Sequence, residues 1–116
     1  MVSYSYDDFS DSFLISTKRK NDKVKGSALI GNLVIDISTD GRVVGLEIRH
    51  FSEWLKKMKI DRNICNIKSA DLNVTYKPES LMIFVYIKFM DSQEREVEER
   101  VPIYLLKETA KMAEAA

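Results

Sequence analysis

The tightest constraint on the fold lies between positions 33 and 48, Leu-Val-Ile-Asp-Ile-Ser-Thr-Asp-Gly-Arg-Val-Val-Gly-Leu-Glu-Ile. Two runs rich in β-branched residues flank an Asp-Gly pair, the strongest short-range signal for a β-hairpin. Side chains alternate across a strand, so the pairing register decides which face is buried. A two-residue loop at Asp40-Gly41 sets Ile37 opposite Val44, Ile35 opposite Leu46 and Leu33 opposite Ile48, which makes one face wholly apolar. Val34, Asp36, Val43, Gly45 and Glu47 fall on the other face. A three-residue loop would turn Glu47 toward Leu33 and Ile35 and bury its charge, so the pattern predicts the tight or four-residue loop.

The flanking segments carry the same logic. Val2, Tyr4 and Tyr6 alternate with serines, and Phe13 to Ile15 is a second short apolar run; the Asp7-Asp8-Phe9-Ser10-Asp11 stretch between them predicts a turn joining antiparallel strands. Lys18 to Gly26 is polar, basic and unpatterned, as expected of a mobile loop. Phe51, Trp54, Leu55 and Met58 recur at helical spacing with Glu53, Lys56 and Lys57 opposite, so a short amphipathic helix is expected, with Ser52 as its N-cap.

Ala70, Leu72, Val74 and Tyr76 alternate with polar residues and predict a one-sided strand, which Pro78 ends in a turn. Leu81 to Phe89 is apolar on both faces until Lys88, the pattern of a central strand. Its hairpin partner is Glu94 to Val101, whose charges suit a sheet edge. From Pro102 onward, Ile103, Leu105, Leu106, Ala110, Met112 and Ala113 predict a C-terminal helix. The expected class is α+β: an antiparallel, strand-rich sheet with a short middle helix and a C-terminal helix, in a single domain spanning 1–116.

Composition narrows the function. Lys plus Arg and Asp plus Glu both total 18, so no net field draws the chain to nucleic acid or to anionic lipid. The longest unbroken apolar run, Leu81 to Ile87, falls far short of the roughly 20 residues of a membrane-crossing helix. Met1-Val2-Ser3-Tyr4 lacks the basic and apolar segments of a secretion signal, and the one cysteine, Cys65, rules out an internal disulfide; a cytoplasmic address is expected.

Asp7, Asp8, Asp11, Asp36, Asp40 and Glu47 carry the hard oxygen donors that magnesium or calcium prefer. Asp7, Asp11, Asp36 and Glu47 form the candidate acidic cluster, with Asp36 and Glu47 on one side of the hairpin; the competing explanation is structural, with the first two as turn residues and the last two hydrogen-bonded to the Tyr6 to Asp11 turn. His50 is the only histidine and is expected to be a structural donor. Cys65 lies between Ile64 and Ile67 and is expected to be a buried, inert thiol. No nucleophile elbow, P-loop or dinucleotide fingerprint occurs, and no cofactor or metal is expected. Lys18, Arg19, Lys20, Lys23 and Lys25 lack interleaved aromatics and are expected to form a solvated loop.

Tyr6-Asp7, Asp11, Phe13, Ile15, Val34-Ile35-Asp36, Asp40-Gly41-Arg42, Val44-Gly45-Leu46-Glu47-Ile48 and Ser52 together resemble the family called domain of unknown function 2283, over about Tyr4 to Ser52. The family often has an acidic residue where this chain has Ser38. The resemblance implies no settled activity; bacterial relatives encoded beside small toxin-like proteins imply an antitoxin-like partner role. The reading that results is a non-enzymatic binding or protein-interaction domain. An antitoxin-like protein and a carboxylate-based, metal-dependent enzyme are its rivals.

A homodimer is expected as well. Leu81, Ile83, Val85, Ile87 and Phe89 point one way and Met82, Phe84 and Tyr86 the other, so both faces of that strand need cover; the competing reading is that the second half of the chain folds back over the first.

Overall fold

The computed structural model describes residues 2–105, which build two antiparallel sheets and one α-helix. The first sheet holds β1 (Ser3–Asp7), β2 (Ser12–Ser16), β3 (Val24–Ile30), β4 (Leu33–Ser38) and β5 (Val43–Arg49) in the order β1-β2-β5-β4-β3. The second holds β6 (Ile67–Lys77), β7 (Ser80–Met90) and β8 (Glu96–Leu105), with β7 in the middle as its two apolar faces require. Helix α1 (Phe51–Lys57) and a short 3-10 turn (Ile64–Asn66) link them. Among the described residues no helix is long and apolar enough to cross a membrane.

The sheets share one core. Phe13, Ile15, Ile35, Ile37, Leu46 and Ile48 from the first sheet cluster with Leu81, Ile83, Val85, Ile87 and Phe89 of β7, all essentially without solvent contact. Burying a side chain of this size stabilises by about 1.5–3 kcal/mol, which makes this cluster the main driving force for folding. Helix α1 adds Phe51, Trp54 and Leu55; the Phe13 and Phe51 rings stack with centroids 4.6 Å apart.

The β4–β5 hairpin departs from the expected loop, and its faces are as expected from Gly45 to Ile48 while Val43 and Val44 exchange places. The Ser38 N–H donates to the Arg42 carbonyl at 2.9 Å and the Gly41 N–H to the Ser38 carbonyl at 3.0 Å, so three residues, Thr39 to Gly41, form the loop. Gly41 takes φ +87°, a conformation that suits glycine. Alone, that loop would shift the register by one and bury Glu47. A bulge corrects it: Ile37 pairs with Val43, Asp36 with Gly45, Ile35 with Leu46 and Leu33 with Ile48, leaving Val44 as the extra residue. Val43 rather than Val44 therefore joins the core cluster, although both are buried. An odd loop and an odd bulge cancel.

Three other expectations are corrected. Val24 to Gly26 belongs to strand β3 instead of a loop, and the segment before it is fastened: the Asp22 N–H donates to the Arg19 carbonyl at 3.0 Å and the Asp22 carboxylate pairs with Arg42. Pro102 and Ile103 lie inside β8 and do not start a helix; an edge strand tolerates a proline because its outward backbone needs no partner. The remainder of the expected C-terminal helix, 106–116, lies outside the described residues. Finally, His50 and not Ser52 occupies the N-cap position of α1, in the left-handed region at φ 55° and without a side-chain cap of its own.

Candidate functional site

The acidic positions divide between two places. Asp7 and Asp11 bracket the β1–β2 turn, while Asp36 and Glu47 lie on the solvent side of β4 and β5. Among the described residues no three His, Cys, Asp or Glu side chains gather in a way that could hold a metal ion.

Asp7 shapes the turn. Its carboxylate accepts from the Phe9 N–H and the Ser10 hydroxyl, both at 3.0 Å, and the turn presents Phe9 with 98% of its surface in solvent. Asp11 does more. It takes φ 52°, which aspartate tolerates better than most residues, and its carboxylate accepts from the Tyr6 hydroxyl at 2.6 Å, the Ser52 hydroxyl at 2.6 Å and the Ser52 N–H at 3.2 Å. Its carbonyl accepts from the Phe51 N–H at 2.9 Å. The first turn of α1, uncapped from within, is thus capped by a residue of the β1–β2 turn.

Burial opposes ionisation of Asp11, but the hydrogen bonds from Ser52 and Tyr6 outweigh it and hold its carboxyl below the usual range. The same Asp11 hydrogen bond, followed by burial, pushes the Tyr6 phenol up to about 12.

Asp36 and Glu47 have partners of their own, not the β1–β2 turn that was expected to hold them. The Ser27 hydroxyl donates to Asp36 at 2.6 Å, and Arg49 pairs with Glu47 at 2.8 Å. Asp36 also fills the space over Gly45, its cross-strand partner: a Cβ at position 45 would lie 2.9 Å from Asp36 Oδ2. That close approach favours glycine at position 45.

Two further features were not legible in the sequence. Arg42 joins Asp40 at 2.9 Å to Asp22, fastening the β4–β5 turn to the loop before β3. Hydrogen bonds from Ser38 and then Arg42 hold the Asp40 carboxyl at about 2. Cys65 is exposed instead of buried, with its N–H donated to Asn63 Oδ1 at 2.9 Å. His50 is exposed too.

Several aromatic residues gather on the outward side of the second sheet. Cross-strand rows run Asn73, Phe84, Pro102 and then Asp71, Tyr86, Arg100, with Thr75, Met82 and Tyr104 beside the first. Phe84 and Tyr86 are half-buried with centroids 6.3 Å apart, and Tyr104 keeps 70% of its surface in water. At the far end, Asp71, Tyr86, Lys88 and Glu98 line a cleft of about 600 Å³ with Tyr4 of β1 and Val2 just before it.

Residues 3–52 match the model of a family described as Protein of unknown function (DUF2283). No curated protein and no solved structure matches the chain. The matched segment corresponds to a structural unit: it contains the whole five-stranded sheet and ends at Ser52, the residue Asp11 caps. The second sheet lies outside it.

Proposed function

We propose that the chain is a single, non-enzymatic protein-interaction domain of the cytoplasm that works as a homodimer. The observation that carries this reading is the outward face of β6–β7–β8, where the half-buried Phe84 and Tyr86 stand beside the exposed Pro102 and Tyr104. Aromatic residues so grouped are typical of interface centres, and a twofold contact is the commonest way a soluble protein buries them. The balance of 18 basic and 18 acidic residues supports a protein partner over nucleic acid. Asp7 and Asp11, two of the acidic positions in the family pattern, serve the turn and the helix cap, which favours a binding role over carboxylate chemistry.

Light scattering on the eluted peak tests the reading. A mass approaching twice 13.4 kDa at tens of micromolar chain is expected, and 13.4 kDa at every concentration would contradict the dimer.

A further inference from the structure

We infer that the two copies meet through the outward faces of their β6–β7–β8 sheets, with the twofold axis running parallel to β7 so that Asp71 of each copy faces Arg100 of the other; this rests on the homodimer reading.

The argument is one of charge and register. Asp71 and Arg100 are exposed and occupy the same cross-strand row, on opposite sides of Tyr86. An axis in the interface plane and along β7 exchanges left and right without sliding the strands, so β6 of one copy covers β8 of the other. Asp71 then meets Arg100 twice, Asn73 meets Pro102, and Thr75 meets Tyr104. Phe84 and Tyr86 meet their own copies on the axis as aromatic pairs. Lys88 meets itself, but Glu98 lies directly beside it in the same sheet and offsets the charge. An axis across the strands would instead set Arg100 over Pro102 and Asp71 over Asn73, leaving both charges without an opposite. The observed charges favour the first arrangement.

The face also sets the strength. Three strands about 4.8 Å apart and about 33 Å long offer roughly 480 Å² in projection, less than the roughly 800 Å² per partner of a standard interface. A reversible dimer follows, dissociating on dilution.

Sedimentation velocity on the full chain tests the arrangement, with thermal melts to show that each variant folds. Asp71→Arg and Arg100→Asp should each weaken dimerisation at least tenfold, and the double variant should restore it to within about threefold of wild type, because the two like-charge contacts become attractive again. A wild-type dimer whose affinity none of the three variants alters would overturn this arrangement while leaving the homodimer intact. A wild-type chain that stays monomeric would overturn both. If removal of 106–116 then produced a dimer, the face would belong to that segment instead.

Discussion

The Asp11 carboxylate accepts the Ser52 N–H at 3.2 Å across 41 positions of chain, so a turn of the sheet finishes a helix that cannot cap itself. Asn at position 11 keeps the tolerance for a positive φ but loses the charge that three donors share. Asp11→Asn should therefore destabilise by roughly 1–2 kcal/mol, read from the urea midpoint.

The pH dependence follows with its sign. Asp11 ionises more readily in the folded chain than in the unfolded one, so its contribution is complete above the unfolded carboxylate range and is lost as the pH falls through the folded value. Wild type should lose stability on acidification below about pH 4, and Asp11→Asn should lose less over the same interval. Tyr6 acts at the other end: its pKa is raised to about 12, so its contribution is present at neutral pH and fades as the pH rises from 10 to 12. Tyr6→Phe should flatten that alkaline limb in a denaturation series.

Two hairpin loops share one backbone geometry and carry different residues at its left-handed position. In both, the first residue accepts the N–H of the fourth and donates its own to the fifth: Ser38, Gly41 and Arg42 in one loop, Asp91, Glu94 and Arg95 in the other. The fourth residue is left-handed in each, Gly41 at φ 87° and Glu94 at φ 61°. Glu94→Gly should stabilise by about 0.5–1 kcal/mol, and Gly41→Ala should destabilise by about 1 kcal/mol or more. Thermal melts of the two variants would show opposite shifts.

Gly45 and Asp36 make a close pair. Gly45→Ala places a methyl 2.9 Å from Asp36 Oδ2 and should destabilise by about 1–3 kcal/mol. In an Asp36→Ala background the same change should have much less effect. Equal effects in both backgrounds would remove the contact as the cause; a double-mutant cycle measures the difference.

How much of this was legible follows from the range of each interaction. The faces of β4 and β5 were readable because Ile35, Leu46, Leu33 and Ile48 alternate within one hairpin. The bulge at Val43 and Val44 was not, since it compensates a loop length that Asp-Gly leaves open. Strand β3 was hidden because Lys25, Gly26 and Ser27 show no alternation at a sheet edge. Pro102 marks a helix start as well as it marks an edge strand, and only the pairing with Phe84 decides. For the acidic positions, composition identified the residues but not their partners: Ser27 for Asp36, Arg49 for Glu47 and Ser52 for Asp11 are matters of pairing and packing.

Cross-linking tests most directly whether the chain meets its copy through the second sheet. In a Cys65→Ser background, Phe84→Cys places a thiol at the centre of the face, and Leu29→Cys places one on the opposite sheet, where Leu29 is 64% exposed. With a short bismaleimide at tens of micromolar chain, the position 84 variant should give a covalent dimer within minutes and the position 29 variant only traces. Efficient linking at position 29, or none at position 84, would contradict the account.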